Sequence, residues 1–109
     1  MTMAWNVEVK EAAVEHLQWF GKKTGRKVLK TALEYLESDP LGETKNMKTL
    51  RPNPVAQREL RLFGKYRMLF SVEERDEMVT VLLVGEKIGN RLLVLGEEFT
   101  AHHESNPTE

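Results

Sequence analysis

Basic side chains concentrate in the middle of this 109-residue chain, where several of them stand beside apolar residues. Between residues 45 and 67 the sequence carries seven Lys or Arg and one Glu, a net charge of +6, whereas the remainder carries nine cations and sixteen anions. Cations held on a rigid sheet can bind phosphate groups and stabilise charge that develops on phosphate oxygens. The alternative is a solvated loop and hairpin face that only favours solubility.

Hydrophobic periodicity predicts the first elements that would position these cations. Apolar and polar residues alternate over residues 5–9, the period of a strand with one buried face. Apolar residues then recur at helical spacing in two stretches, residues 13–20 and 29–36. Gly21 and Gly25 are expected to separate the two helices.

The second half of the chain predicts a loop followed by strands. Residues 41–54 contain Gly, Asn and Pro without periodicity, which indicates a loop. Four strands are predicted after it: Arg58–Phe63, Tyr66–Val72, Met78–Val84 and Arg91–Leu95. Gly64-Lys65 is a tight hairpin signal, and the chain is expected to turn again from Gly85 to Asn90.

These elements predict an α+β fold of order β-α-α-β-β-β-β. Each helix has a single apolar stripe that needs a partner, so we expect a two-helix hairpin packed on one face of a small, twisted, mainly antiparallel sheet. The other face is expected to be concave and open. The length fits a single domain over residues 1–109, with a frayed tail over about 100–109.

Composition excludes several classes of site. The chain contains no cysteine, so neither a disulfide framework nor a thiolate metal site is possible. No apolar run approaches the roughly 20 residues that cross a bilayer, and the N-terminus lacks the pattern of a signal peptide. We therefore expect a cytoplasmic protein with no membrane partner.

Ordered sequence blocks resemble a known family. They are Leu36 with Asp39-Pro40, then Arg-Glu-Leu-Arg at 58–61, G-x-Y-R-x-x-F at 64–70, and V-G-x-K at 84–87. Their order is similar to that of the RelE/ParE superfamily, the small bacterial toxins of type II toxin–antitoxin modules, and to its RelE-like members in particular. The resemblance covers nearly the whole chain, from Trp5 to about His103.

The resemblance implies a toxin held inactive by a cognate antitoxin protein. RelE-like toxins enter the ribosomal A site and cut mRNA, so the expected activity is a ribosome-dependent endoribonuclease that inhibits translation and has ribosome and mRNA as partners. No metal or other cofactor is expected. Two alternatives stay open, because fold does not fix function: a ParE-like inhibitor of DNA gyrase without catalysis, and a degenerate member that only binds its antitoxin.

Site residues follow from the resemblance by position. The expected catalytic set is Arg61, Arg67, Lys87, Lys48 and His102. The expected RNA-binding set is Lys45, Arg51, Arg58, Lys65 and Arg91. The two lysines of the loop, at 45 and 48, are spaced by three rather than the family's two, and one extra residue separates the first catalytic arginine from the Tyr-Arg pair.

One departure concerns proton transfer. The catalytic tyrosine of the RelE nuclease would align with about Leu93, which cannot exchange a proton. His102 is the expected replacement, because imidazole titrates near pH 6.5; the alternative is that His102 and His103 lie in a tail without a role. A metal site with the neighbouring glutamates is not expected, because adjacent residues of a strand point to opposite sides.

Structural roles compete with the functional ones. Arg67 can instead pair with Glu59 or a backbone carbonyl, and Lys87 and Arg91 can instead be solvent-facing edge protection. His16 is expected on the surface. Three aromatic residues are predicted to pack in the core or between helices, namely Trp5, Trp19 and Tyr35.

Overall fold

The computed structural model of the protein describes residues 4–99. The helices are α1 (Glu11–Trp19) and α2 (Lys22–Ser38). The strands are β1 (Asn6–Val9), β2 (Met47–Thr49), β3 (Arg58–Leu62), β4 (Tyr66–Glu73), β5 (Met78–Ile88), β6 (Arg91–Val94) and β7 (Glu97–Phe99). Among the described residues, no helix combines the length and apolar character needed to cross a membrane.

The strands form one sheet in the order β2-β3-β4-β5-β6-β7, and every neighbouring pair along this path is antiparallel. β1 is the exception, because it pairs in parallel with the first part of β5. The predicted α+β fold with a mainly antiparallel sheet is therefore confirmed. Two short strands were missed: β2 lies inside the predicted loop, and β7 follows the last predicted strand.

The central strand β5 is longer than predicted and shares one edge between two neighbours. Residues 78–81 pair with β1, whereas residues 86–88 pair with β6. The predicted turn from Gly85 is wrong, since the strand continues to Ile88. Glycine is required at 85 because an added Cβ would lie 2.7 Å from the carbonyl oxygen of Leu93 on β6.

Both helices cover the same face of the sheet. The buried residues of α2 recur at helical spacing and include Val28, Ala32 and Leu36. Gly21 separates the helices, with a φ of 92°, but Gly25 lies inside α2, contrary to expectation. A Cβ at Gly25 would lie 2.5 Å from the carbonyl oxygen of Leu17, so the missing side chain allows α1 and α2 to pack closely.

The main core lies between this helical layer and the sheet. Its largest fully buried side chains include Leu60 from β3, Met68 and Phe70 from β4, and Val84 from β5. Alternation along β3 sends Leu60 and Leu62 to the helices and leaves Glu59 and Arg61 on the opposite side. We call this opposite side, which the helices leave uncovered, the open face.

His16 belongs to this core rather than to the surface, so its expected position is wrong. Only 9% of the residue is exposed, and its Nδ1 accepts a hydrogen bond of 3.2 Å from the backbone N–H of Val84. Val84 lies in the part of β5 that pairs with neither β1 nor β6. The imidazole therefore satisfies a buried donor that the sheet leaves unpaired.

Candidate phosphate-binding site

Two arginines lie side by side on the open face. Arg61 of β3 and Arg67 of β4 are direct partners in the antiparallel register. Such partners have Cβ atoms about 5 Å apart, close enough for both side chains to reach one ligand. The hairpin between the strands holds this register, and it turns through positive φ angles at Phe63 (52°) and Gly64 (76°).

The two guanidinium groups differ in exposure. The side chain of Arg61 is 35% exposed, whereas that of Arg67 is 10% exposed. Arg67 donates hydrogen bonds to the backbone carbonyls of Gly64 (3.3 Å) and Tyr66 (3.2 Å). Burial lowers the pKa of Arg67, and the charge of Arg61 acts in the same direction, whereas Glu59 raises it. Arg61 is therefore the arginine that a ligand can contact. Arg67 is more buried and adds a positive charge next to it.

Glu59 holds the two arginines together. Its Oε1 lies 3.3 Å from Nε of Arg61, and its Oε2 lies 3.9 Å from Nε of Arg67. That Nε of Arg67 is buried and has no hydrogen-bond partner among residues 4–99. Arg67 thus makes both of the structural contacts predicted as alternatives to a functional role, with Glu59 and with backbone carbonyls. Glu59 was predicted only as a partner of Arg67, although its position two residues before Arg61 in a strand places both side chains on one face.

Lys87 completes the group of cations on this face. Gly85 is the β5 partner of Arg67, and Lys87 lies two residues further on, so its side chain points to the same side. The diagonal separation of such neighbours is about 7–8 Å. Lys87 is half-buried, and its neighbour on β6 is Leu92.

The lysines and arginine of the region before β3 have different positions. Lys48 of β2 is the direct partner of Glu59, which places it at the same face, next to the carboxylate. Lys45 is exposed in the turn before β2, and Arg51 is exposed in the loop after it. We call Arg61, Arg67, Lys87 and Lys48, with Glu59 between them, the cationic cluster.

Arg58 does not reach the open face and is removed from the predicted RNA-binding set. It is 5% exposed on the helical side, where strand alternation directs it. Its guanidinium donates to the carbonyls of Pro40 and Gly42 and, at 2.6 Å, to Oε2 of Glu43. The Glu43 carboxylate also accepts from Thr49, which is the main cause of its lowered pKa. Arg58 therefore links residues 40–43, which follow α2, to strand β3 of the sheet.

Lys65 and Arg91 also lie away from the cluster. Lys65 is paired with Glu86 at 3.4 Å and lies over the ring of Tyr66, and its interactions with Tyr66 and Glu86 raise its pKa. Arg91 is the partner of Ile88, one residue out of phase with Lys87, and forms an ion pair of 3.4 Å with Glu98. Strand alternation thus separates Arg91 from the open face.

No residue on β6 can replace the family tyrosine. Leu93 is the partner of Glu86 and points to the helical side, whereas Leu92, beside Lys87, occupies the open face. Neither leucine can transfer a proton. His102, the expected substitute, lies outside the described residues. Within residues 4–99, no three His, Asp or Glu side chains cluster as a metal site would require.

Part of the face that was expected to be open is covered by a loop. The loop after β2 folds back and places Leu50, Val55 and Ala56 against Leu69 and Leu83, which forms a second, smaller apolar cluster. Leu92, Val94 and Phe99 extend it across β6 and β7. Between the loop and these strands lies a groove of ≈ 570 Å³, and Glu59 is one of its lining residues.

Two of the three aromatic residues predicted to be packed are instead exposed. Trp5 packs against the main core, as expected, but Trp19 is 58% exposed and Tyr35 is 42% exposed. Trp19 lies across Gly96, where an added Cβ would be 2.9 Å from its ring. The glycine therefore lets the end of α1 approach the β6–β7 turn.

The arrangement can bind a phosphodiester and stabilise extra charge on its oxygens. Arg61 offers planar donors, Lys87 offers a mobile ammonium, and Arg67 adds a buried positive charge beneath them. The two arginines cannot transfer protons, because their guanidinium groups stay protonated throughout. The cluster is thus suited first to anion binding.

RelE proteins are among the solved structures that have the same fold. RelBE2 of Mycobacterium tuberculosis, a toxin–antitoxin complex, is 22% identical, with a TM-score of 0.67 over 80% of this chain and 95% of that one. The archaeal RelE–RelB complex of Pyrococcus horikoshii is 26% identical, with a TM-score of 0.59 over 75% of this chain and 93% of that one. The isolated E. coli RelE toxin is 21% identical, with a TM-score of 0.59 over 95% and 96%.

No protein-family model matches the sequence, and no curated protein is significantly similar to it. The identities to the solved structures are low, so the likeness establishes the fold. This chain has the RelE-like fold, and the resemblance seen in the sequence blocks is confirmed at that level.

Proposed function

We propose that this RelE-fold protein is the toxin of a type II toxin–antitoxin module and acts in the cytoplasm as a ribosome-dependent mRNA endoribonuclease. The observation that carries the proposal is the direct pairing of Arg61 with Arg67 on the open face, with Lys87 diagonal to them. The fold likeness to RelE toxins supports the same reading.

The proposed reaction is an attack of a ribose 2′-oxygen on the adjacent phosphorus, with departure of the 5′-oxygen of the next nucleotide. Arg61 and Lys87 bind the non-bridging phosphate oxygens, whose negative charge grows during the attack. Arg67 contributes through its buried charge and through the position it gives to Glu59. The attack forms a 2′,3′-cyclic phosphate and releases a 5′-hydroxyl, with water taking up the proton of the 2′-hydroxyl and water supplying a proton to the departing 5′-oxygen.

The ribosome has a clear place in this proposal. Next to Lys87 the open face carries Leu92, which cannot take up a proton, and the carboxylate of Glu59 is paired with Arg61 and Arg67. The ribosome is proposed to hold the mRNA in a bent geometry that aligns the 2′-oxygen with the phosphorus, and such alignment can supply a large part of a rate enhancement.

An antitoxin is the proposed protein partner, as the complexes of the related folds suggest. A second groove, of ≈ 270 Å³, runs between α1, α2 and β1. Its apolar lining includes Val9, Val14 and Leu29, and Lys22 and Arg26 stand at it. This combination fits an amphipathic, acidic segment of the antitoxin. Val14→Asp is expected to weaken co-purification of the antitoxin with this chain and to leave the cationic cluster intact.

Sequencing of RNA 5′ ends after brief induction tests the proposed activity. Cleavage inside translated frames, with growth arrest, is expected for the chain and not for Arg61→Ala. Inhibited DNA supercoiling with intact mRNA would instead identify the gyrase-directed alternative. The lack of a proton-transferring residue on β6 favours one further candidate, a degenerate member that binds its antitoxin and leaves both mRNA and gyrase unaffected.

A further inference from the structure

We propose that the groove beside the cationic cluster binds one nucleobase of single-stranded RNA, which deepens the proposed function and rests on it. The groove and the cluster are continuous. Glu59 lines the groove and also contacts Arg61 and Arg67. A nucleotide whose phosphate meets the cluster can therefore place its base in the groove without crossing another part of the surface.

The walls of the groove suit a flat apolar ligand. Leu69 and Leu92 come from the sheet, Phe99 from β7 and Leu50 from the loop that folds over this face. Bases of every type stack on aromatic side chains because each has a π-face. The ring of Phe99 is therefore the stacking platform, and the leucines enclose the base.

Strand register links this platform to a cation. Phe99 is the partner of Leu92, and Leu92 is the partner of Lys87, so the three residues form one row across β7, β6 and β5. Two strand spacings amount to roughly 10 Å. The flexible side chain of Lys87 spans part of this distance, which brings its ammonium to the phosphate of a base stacked on Phe99.

Charge at the rim selects a nucleotide over an apolar peptide. Arg51 lines the groove on its loop side and Lys48 is the register partner of Glu59. An apolar cleft bordered by cations matches a ligand that has an apolar base and an anionic phosphate. Glu59 can accept a hydrogen bond from an N–H group on the base edge.

Titration of the isotope-labelled full chain with nucleoside 5′-monophosphates, followed by NMR, tests the groove. Ribose 5-phosphate, which lacks the base, is the matched ligand. We expect the monophosphates to shift the methyl signals of Leu50, Leu69 and Leu92, whereas ribose 5-phosphate shifts only signals of the cationic cluster. Equal responses to both ligands, or unchanged leucine methyl signals, would overturn the proposal.

Two variants make the result specific. Phe99→Leu keeps an apolar side chain but removes the ring, and it is expected to weaken monophosphate binding roughly ten-fold. Phe63→Ala removes the exposed aromatic residue of the β3–β4 hairpin and is expected to bind as the parent chain does. Unchanged binding by a folded Phe99→Leu variant would exclude stacking.

The ribosomal assay separates this inference from the activity. Selective leucine shifts in a protein that leaves ribosome-bound mRNA intact would retain the groove and reject the endoribonuclease. Cleavage of that mRNA without selective shifts would retain the endoribonuclease and reject the groove.

Discussion

Arg61 and Arg67 are direct cross-strand partners, a pairing of like charges that is unfavourable by itself. The carboxylate of Glu59 reaches both guanidinium groups and compensates for part of the repulsion. The resting molecule therefore keeps two cations adjacent on a surface where a phosphate is proposed to bind.

Arg61→Ala is expected to reduce cleavage of ribosome-bound mRNA by about 100-fold or more, because the exposed guanidinium would stabilise charge that grows in the transition state. Its fold should persist, since the side chain is 35% exposed. Toeprinting with purified ribosomes measures the loss. Arg91→Ala, which removes a cation from the other side of the sheet, should retain activity; equal losses in both variants would point to a general effect of charge.

Glu59→Gln is expected to strengthen binding of single-stranded RNA, since the substitution removes the anion that competes with phosphate for Arg61. The slope of log affinity against log salt should steepen by about 0.7, the value for one further phosphate contact. Filter binding across a salt series measures it. A shallower slope would mean that Glu59 serves mainly to orient the arginines.

Arg58→Ala is expected to lower the free energy of unfolding by about 3 kcal/mol, because the buried guanidinium satisfies the carbonyls of Pro40 and Gly42 and the carboxylate of Glu43. Urea denaturation measures the change. The folded variant should bind RNA like the parent chain. A clear fall in RNA affinity with unchanged stability would return Arg58 to the RNA-binding set.

His16 is expected to make stability depend on pH. Burial lowers its pKa below the ordinary value, and the charge of Glu15 opposes this effect. Both the folded and unfolded states hold a neutral imidazole well above about pH 6.5, so its contribution is complete there. As the pH falls below that value, the unfolded state takes up the proton first and the contribution is lost.

His16→Asn tests this dependence, because its side-chain oxygen can accept the hydrogen bond from Val84 without titrating. Denaturation midpoints at about pH 7.5 and pH 5.5 should differ more in the parent chain than in the variant. His102 and His103 are present in both proteins and cancel in the comparison. An identical pH dependence of the two proteins would refute the role of His16.

Much of the fold could be predicted because alternation and helical spacing record which face of each element is buried. The same rule did not predict the shared face of Arg61 and Arg67, because the two-residue turn expected at Gly64-Lys65 would pair Phe63 with Tyr66, whereas the observed partner of Tyr66 is Leu62. It also failed where burial comes from distant contacts: Gly25 and Gly85 read as breaks, although each is required by the close approach of another element. His16 likewise gave no local sign of its buried partner on β5.

The site was predicted less completely than the fold. The identity of a basic residue does not show which face of a sheet its side chain reaches. Arg58 and Arg61 belong to the same strand, and only the alternation of side chains along it puts them on opposite faces. The groove near Phe99 depends on the loop after β2 folding back over the sheet, a long-range contact that composition alone does not indicate. Glu59 was predicted only as a partner of Arg67, whereas its carboxylate also contacts Arg61.

The parallel pairing of β1 with β5 also sets the order in which a newly made chain can mature. The first strand must wait for residues 78–81 before it has a partner, and α1 docks on that same strand. A nascent chain that ends before β5 thus lacks its central strand, and with it both Gly85, the partner of Arg67, and Lys87. The cationic cluster, and with it the proposed activity, is therefore absent from any nascent chain that stops before residue 87.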